Sequence, residues 1–237
     1  MSNTMVPDCD ELFAHRAEKY DRFVAAEDFQ GNLLRTVMQL SQLDSAQVVT
    51  DLGTGTGRVA YLIAPHVRHV YGIEPVSGMR QVAEAKKHER GINNVDFLAG
   101  EHKAIPLPDS SVDLIIEGWA YLKAFVFTYP SWRPEFDAIV PEMRRILRPG
   151  KGVILIETMG SLHLWKEIPA RTAVLYDYFE KERRLRRVTI RADYRFSSLA
   201  EAVDLGTFFF GDEAGAEIRR LGDCVVPEAT AIWHGTI

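Results

Sequence analysis

Three closely spaced glycines lie where an apolar stretch gives way to a helical pattern. The segment "VVTDLGTGTGRVAYLIA" (48–64) places Gly53, Gly55 and Gly57 between a β-branched run and periodic apolar residues. Glycines in such a turn let a ligand approach the backbone, and the helix that follows offers unpaired N–H groups and the positive end of its dipole. This order predicts a ligand-binding turn after the first strand of an α/β sheet.

Short apolar runs and helical patterns alternate downstream, which is typical of a parallel sheet with crossover helices. We expect Ser77 to cap one of the helices and Gly91 to end it. Strands that are apolar on both faces belong to the middle of a covered sheet. The expected strands are 46–52, 69–74, 94–100, 112–118 and 152–158, and the expected helices are 58–66, 77–91 and 134–147.

The flanking regions complete the expected domain. Residues 10–43 carry one or two amphipathic helical patterns, and 162–187 resembles a long helix ending in "KERRLRR". No repeat or low-complexity linker interrupts the chain, so we expect one domain over 1–237, with a helical cap (1–45), a core (46–158) and a C-terminal part (159–237). The C-terminal part is expected to continue with a strand at 188–196, a helical stretch at 199–222 and a strand at 224–237.

Composition narrows the functional classes. The 237 residues are 46% hydrophobic and 26% charged, as in ordinary globular domains, and the net charge of −5 gives no reason to expect a nucleic-acid partner. Cys9 and Cys224 lie far apart, with no second ligand at zinc spacing, which argues against a disulfide framework or a metal site. We find neither a secretory signal nor an apolar run near the ~18 residues of a membrane span. We therefore expect a soluble cytoplasmic protein without membrane association.

An acid follows the glycine cluster at a meaningful distance. Glu74 ends the second strand, about 20 residues after Gly53, where a carboxylate can accept both ribose hydroxyls of a nucleotide cofactor. Dinucleotide loops follow G-x-G-x-x-G, but Arg58 stands where the last glycine would fall, and no Lys-Ser/Thr of a P-loop follows. The spacing favours S-adenosylmethionine and leaves a nicotinamide-dependent oxidoreductase as the alternative.

Four segments together resemble the successive motifs of class I S-adenosylmethionine-dependent methyltransferases, most closely the small-molecule branch. They are "VVTDLGTGTGRVA", "VYGIEPVSGM", "VDFLAGEHKAIPLPDSSVDLII" and "EMRRILRPGKGVILIE", which cover about residues 46–158. The resemblance implies a doubly wound, Rossmann-like α/β fold with a seven-stranded, mostly parallel sheet, helices on both faces and an antiparallel last strand. It also implies S-adenosyl-L-methionine as cofactor and S-adenosyl-L-homocysteine as product.

The resemblance further assigns roles to individual residues. Asp51 would lie near the cofactor's ammonium group, and Tyr20 belongs to a helix that would fold over the cofactor, so that 10–30 form a lid. The loop residues around the methionine portion would be Gly53, Thr54, Gly55 and Gly57. Those around the nucleoside would be Glu74 on the ribose, Pro75 and Met79 against it, and Gly100, Glu101 and the N–H of His102 at the adenine.

Methyl transfer needs a nucleophile aligned with the methyl group and water excluded, and a general base only when the nucleophile arrives protonated. Glu117 and Trp119 follow the fourth strand, where ligands meet open α/β sheets, and both are expected at the cofactor. Glu117 and His163 are the candidate bases. The aromatic residues expected either to wall an acceptor pocket or to pack in the core are Trp119, Tyr121, Phe125, Phe127, Tyr129 and Trp132.

The acceptor is expected to be a small molecule with an O, N or C nucleophile. The sequence "EGWA" lacks the paired prolines found in enzymes that methylate the amines of nucleic-acid bases, and "KERRLRR" is interpreted as solvated charge at a helix end. Nucleic-acid or protein methylation, a non-catalytic S-adenosylmethionine-binding module and a homodimer remain open alternatives.

Overall fold

The computed structural model describes residues 16–122, 126, 131–162 and 168–237. Its strands are β1 Val48–Leu52, β2 His69–Ile73, β3 Val95–Leu98, β4 Val112–Gly118, β5 Leu147–Ser161, β6 Arg186–Arg191, β7 Tyr194–Arg195, β8 Val225–Val226 and β9 Glu228–Gly235. Its helices are α1 Ala17–Ala25, α2 Asn32–Ser41, α3 Arg58–Ile63, α4 Ser77–Arg90, α5 Trp132–Asp137, α6 Val140–Ile146, α7 Ala170–Asp177, α8 Leu199–Phe210 and α9 Asp212–Leu221.

Seven strands form one sheet in the order β3-β2-β1-β4-β5-β9-β6. The pairs β2–β3, β1–β2, β1–β4 and β4–β5 are parallel, whereas β9, the last strand of the chain, is antiparallel to both β5 and β6. The expected seven-stranded, doubly wound fold with an antiparallel last strand is confirmed.

The register brings the ends of several strands to one level. Leu52, the last residue of β1, pairs with Ile73 on β2 and with Glu117 on β4. Because β9 runs the other way, it begins at this same edge, where Glu228 pairs with Ser161 of β5. The edge where β1, β2, β4 and β5 end therefore collects side chains from five strands.

The central strands are buried on both faces, as their apolar sequences predict. On β4, Ile115 belongs to the cluster that contains Trp233 and Phe136, while its neighbour Ile116 belongs to the cluster around Val49. A third cluster joins α1 to α8 and α9 through Phe23 and other apolar side chains. No helix in the described part of the chain has the length and apolar character needed to cross a membrane.

Several expected elements are wrong in extent. The helix at 134–147 is two helices, α5 and α6, because Pro141 lacks the N–H of a helix interior and sits in the first turn of α6. The stretch at 199–222 is divided into α8 and α9 at Gly211, whose φ is +93°. Ser77 is the first helical residue and caps nothing, whereas Gly91 ends α4 with a φ of +62°, as expected.

The region 162–196 departs most from the expectation. Its helix, α7, is short and continues as a π-helical turn over Tyr178–Glu182. Arg186 and Arg187 of "KERRLRR" lie in the edge strand β6, because pairing with β9 overrides the local helical preference. The strand expected at 188–196 is divided into β6 and β7, and the one expected at 224–237 is divided at Pro227 into β8 and β9.

Candidate functional site

The glycine turn after β1 has left-handed backbone at Gly53 (φ +72°), Gly55 (+55°) and Gly57 (+84°). A Cβ on Gly57 would lie 2.7 Å from the Tyr61 ring, and one on Gly53 would lie 2.8 Å from Ala120 Cβ. Protein packing therefore requires glycine at these two positions. Gly55 differs, because an added Cβ would meet only Tyr20 at 3.9 Å and Met79 at 4.0 Å, which are ordinary contact distances, so packing alone does not require glycine there.

The Glu74 carboxylate lies against that turn. The Gly55 N–H donates to Glu74 Oε2 at 3.0 Å, and the Val76 N–H donates to Oε1 at 2.8 Å. Glu74 is buried, yet each carboxylate oxygen can accept more than one hydrogen bond. An acid held at Gly55 fits the ribose hydroxyls of S-adenosylmethionine, so the residues present are compatible with that cofactor.

Asp51, at the end of β1, joins the turn to α3. Its Oδ2 accepts hydrogen bonds from Thr54 Oγ1 at 2.6 Å and from the Ala60 N–H at 3.0 Å. Burial raises the pKa of Asp51 to about 7, against the lowering effect of its hydrogen bond from Thr54. Asp51 therefore changes charge near neutral pH and can serve as a counter-charge for a bound ammonium group.

Helix α1 covers the turn. Tyr20 Cε1 would be 3.9 Å from a Cβ on Gly55, and Met79, from α4, would be 4.0 Å from it. Asp21 Oδ1 accepts hydrogen bonds from Thr56 Oγ1 at 2.6 Å and from Lys86 Nζ at 2.5 Å. Burial raises the pKa of Tyr20, which keeps its hydroxyl neutral. Helix α1 thus lies over the glycine turn, where the lid predicted for residues 10–30 would lie. Residues 10–15 of that predicted lid fall outside the described residues.

Arg58 has a role that the sequence did not reveal. Its guanidinium forms a 2.5 Å ion pair with Glu27 and lies 4.1 Å from the Trp119 ring centroid. Trp119 itself has a φ of +58°, a strained conformation for a bulky residue that tends to occur at functional sites. The only sequence signal for Arg58 was that it replaced the third glycine of the dinucleotide pattern.

The residues expected at the nucleoside are only partly brought together. Met79 is buried near Gly55, but Pro75 and Glu101 are exposed. A Cβ on Gly100 would lie 2.6 Å from Pro106, so packing alone explains that glycine.

His102 faces the interior more than its loop position suggested. Its ring centroid lies 5.3 Å from that of Tyr121, and its Nε2 would be 3.4 Å from a Cβ on Gly53. Burial lowers the pKa of His102 to about 4, so the imidazole is neutral at physiological pH. The side chain of His102, and not only its backbone N–H, thus reaches the glycine turn.

Two buried glutamates meet beyond the turn. Glu117 Oε1, at the end of β4, accepts hydrogen bonds from the N–H groups of Ala120 (2.5 Å) and Tyr121 (3.0 Å). Glu157 Oε1, on β5, accepts one from the Leu122 N–H at 2.8 Å. Burial, and then the neighbouring Glu157, raise the pKa of Glu117 well above its usual range, while burial raises that of Glu157 to about 8. Glu157 was missed, although an acid closing the apolar run "VILIE" was a usable signal.

The aromatic segment after β4 is partly core. Tyr121 and Trp132 are buried in the main cluster, so these two do not wall an open pocket. Among the described residues, no group of three or more His, Cys, Asp or Glu side chains could hold a metal ion. Outside the described residues lie Phe125, Phe127, Tyr129 and the candidate base His163.

Comparisons with known proteins agree with this geometry. Residues 49–150 match the family described as "Methyltransferase domain". The uncharacterized methyltransferase YcgJ of Bacillus subtilis is 33% identical over 104 residues, which cover 44% of this chain and 40% of YcgJ. The malonyl-[acyl-carrier protein] O-methyltransferase of Yersinia pestis is 29% identical over 168 residues, which cover 68% of this chain and 56% of the relative. The chain thus spans about half the length of these relatives.

Solved structures share the fold. A crystal structure of an S-adenosylmethionine-dependent methyltransferase from Aquifex aeolicus aligns with a TM-score of 0.56 at 18% identity, covering 94% of this chain and 97% of that one. The strand order, the glycine turn with its acid and the family match converge on one class. Residues 49–150 match a methyltransferase domain, and this match supports a class I S-adenosylmethionine-dependent methyltransferase.

Proposed function

We propose that this chain transfers a methyl group from S-adenosylmethionine to an O, N or C nucleophile of a small molecule. The observation that carries the proposal is the Glu74 carboxylate held 3.0 Å from the Gly55 N–H, beside the glycine of the turn at which an added Cβ would meet no clash. The relative from Yersinia pestis, an O-methyltransferase by name, supports the reaction class.

In this proposal the cofactor lies along the ends of β1 and β2. Glu74 accepts hydrogen bonds from the two ribose hydroxyls, and the backbone of Gly55 allows the cofactor to approach closely. Asp51, when ionised, pairs with the ammonium group of the methionine portion. Bound S-adenosylmethionine supplies a methyl group activated by a positively charged sulfur.

The remaining task of the protein is to align the acceptor and exclude water. Helix α1 serves the second purpose, because Tyr20 covers the turn and Asp21 fastens the helix to Thr56. Glu117 is the candidate base among the described residues, since its pKa is raised and it lies at the end of β4, the strand next to β1. His163 remains a second candidate base from the sequence.

Calorimetric titration with S-adenosylmethionine and S-adenosylhomocysteine tests the proposal. Glu74→Ala removes two charge-assisted hydrogen bonds of about 1.5 kcal/mol or more each, so we expect at least about a 100-fold loss of affinity for both ligands. Glu89→Ala, an exposed acid on α4, is the matched control and should bind like the unchanged protein. Equal affinity of the Glu74→Ala and Glu89→Ala variants would remove the basis for the site.

The same preparation separates the alternatives. An oxidoreductase would bind a nicotinamide dinucleotide in preference to S-adenosylmethionine, and Glu74→Ala would weaken that binding instead. A non-catalytic module would bind S-adenosylmethionine but release no S-adenosylhomocysteine with any acceptor. Formation of S-adenosylhomocysteine that depends on the added acceptor is the result expected here.

A further inference from the structure

Buried acids continue along the sheet edge beyond the cofactor turn. After Asp51 on β1 come Glu117 on β4, Glu157 on β5 and Glu228 at the start of β9, each at most 2% exposed. Neighbouring strands lie about 4.8 Å apart, so β5 is about 10 Å from β1 on the side away from β2. Because the proposed cofactor site uses β1 and β2, Glu117 and Glu157 lie on the side left for the acceptor.

In the described part of the chain, no cation pairs with Glu117 or Glu157. In the residues described, neither forms an ion pair with Lys or Arg, and the charges that act on Glu117 are the like charges of Glu157 and Asp51. Glu228, by contrast, is satisfied by the hydroxyls of Thr158 and Ser161. The Glu117–Glu157 pair is therefore the uncompensated part of this edge.

One carboxylate oxygen of the pair has no hydrogen-bond partner. Glu117 Oε1 is used by two backbone N–H groups, but Glu117 Oε2 is fully buried and accepts no hydrogen bond. A glutamine could accept the same backbone hydrogen bonds, so holding the chain after β4 does not explain why two carboxyls are buried together. A buried carboxyl without a partner is costly unless a ligand supplies a donor or a positive charge.

We propose that Glu117 and Glu157 form the acceptor subsite and bind an ammonium group, so that the acceptor is a primary or secondary amine. This inference rests on the proposed function. Glu117 Oε2 accepts a hydrogen bond from the ammonium group, and the negative charge of the pair balances its positive charge. Before methyl transfer the ammonium group gives one proton to the ionised carboxylate, which frees the nitrogen lone pair to take the methyl group and leaves S-adenosylhomocysteine. Burial raises the pKa of both glutamates, that of Glu157 to about 8, so the free pair holds at least one proton at neutral pH, and binding of the cation favours release of that proton to solvent.

Among the described residues, the charged and titratable groups that act on the pair are acidic or neutral. Asp51 acts on Glu117 from β1, Tyr121 follows β4, and Tyr176 packs near Glu157 from α7. Tyr121 and Tyr176 both have a pKa raised by burial, so they stay neutral. The proton released on binding is therefore assigned to the carboxyl pair and not to these phenols.

The sulfonium of S-adenosylmethionine is the other cation that could meet the pair. S-adenosylhomocysteine lacks that charge, so the ratio of the two affinities measures any contact with the sulfonium. If Glu117→Gln and Glu157→Gln weaken binding of S-adenosylmethionine but not of S-adenosylhomocysteine, the pair serves the cofactor and the proposal is overturned. From the sequence, Glu117 was expected at the cofactor, whereas the subsite proposed here assigns it to the acceptor, so we expect both affinities to stay within about twofold of those of the unchanged protein.

The decisive experiment uses protein saturated with S-adenosylhomocysteine and a panel of small primary and secondary amines, each matched to the alcohol of the same carbon skeleton. Ligand-observed NMR should show amines binding at least about tenfold more tightly than their alcohols, the usual range for a charge-assisted hydrogen bond. Calorimetry of a binding amine in two buffers of different ionisation enthalpy should show proton release. Amines that bind no better than their alcohols would overturn the inference.

Variants test whether the preference for amines over alcohols depends on Glu117 and Glu157. Glu117→Gln and Glu157→Gln keep the oxygen that the backbone N–H groups need, and both should lose the preference for amines, while Glu89→Gln should keep it. Should Glu117→Gln fail to fold, Glu157→Gln carries the test. A preference that survives in the folded variants contradicts the proposal. If the unchanged protein does not bind S-adenosylhomocysteine, the proposed function itself is refuted.

Discussion

The two halves of the carboxyl edge of the sheet treat buried acids differently. Where β1 and β2 end, both oxygens of Glu74 accept backbone N–H groups, and the nearby acids Glu27 and Asp21 pair with Arg58 and Lys86. Where β4 and β5 end, Glu117 and Glu157 lie on neighbouring strands, the charge of Glu157 raises the pKa of Glu117, and no cation in the described part of the chain pairs with either.

The difference teaches which half is complete without a ligand. The acids near the glycine turn have partners in the protein, so this half is organised in advance and its shape is set by backbone. Burial raises the pKa of Glu117 and Glu157, as it raises that of Asp51, but Asp51 Oδ2 accepts hydrogen bonds from Thr54 and Ala60 whereas Glu117 Oε2 accepts none. Charge in that half depends on what binds there.

After Glu74→Ala, the next largest expected effect also concerns the half where β1 and β2 end. Gly55→Ala adds a Cβ on the side of the turn where we place the cofactor, next to Tyr20 and Met79, so we expect at least about a tenfold loss of affinity for S-adenosylmethionine. Gly150→Ala is the control, since Gly150 is also left-handed (φ +77°) with nothing within 4 Å of an added Cβ. Each substitution should cost a similar ~1–2 kcal/mol of stability by denaturant unfolding. Equal effects on affinity would show that Gly55 does not face the cofactor.

A smaller effect is expected in the half where β4 and β5 end, and it concerns how stability depends on pH. The pKa of Glu157 is about 8 in the folded chain and ~4.3 when unfolded, so the folded state holds a proton that the unfolded state loses between these values. Stability from this group is complete below about pH 4 and is lost as pH rises toward 8.

Glu157→Gln cannot lose that proton, so its unfolding free energy should fall less from pH 5 to pH 8 than that of the unchanged protein. The difference should approach, at most, about 1.4 kcal/mol for each pH unit, measured by urea unfolding. Glu89→Gln should retain the slope of the unchanged protein. Parallel slopes for Glu157→Gln and the unchanged protein would show that Glu157 is ionised in both states.

The smallest effect concerns the cover that lies over the first half. Cleavage by trypsin at Lys19 and Arg22 of α1 should slow a few-fold when S-adenosylmethionine is bound, because ligand stabilises the closed helix. Cleavage at the exposed Arg184, beside β6, should stay unchanged and serves as the internal standard. If both regions are cut equally with and without the cofactor, 10–30 are not a lid.

Contiguous motifs explain what could be predicted from the sequence. The glycine turn, Glu74 and the strands from β1 to β5 lie in one stretch of sequence where the local pattern agrees with the final structure. The fold and the residues proposed to bind the cofactor could therefore be predicted from the sequence. The C-terminal region was harder, because β6 exists through its pairing with β9 and not through its own pattern.

The missed site residues share a physical reason. Arg58 matters through Glu27 and Trp119, partners 31 and 61 positions away, and Glu157 matters through Glu117 on a neighbouring strand. Their partners become neighbours only after the sheet forms. The role of a side chain that depends on such distant partners is therefore hard to predict from the sequence pattern around it.

Trp119 gives the protein a built-in optical probe. Its indole is only partly buried and stacks on the Arg58 guanidinium at 4.1 Å, one strand away from the glycine turn, whereas Trp132 and Trp233 are sealed in the core. Indole emission responds to the polarity and charge of its surroundings, so a ligand that shifts Arg58 would change the fluorescence of this residue first. Occupancy could then be followed in real time without attaching a dye.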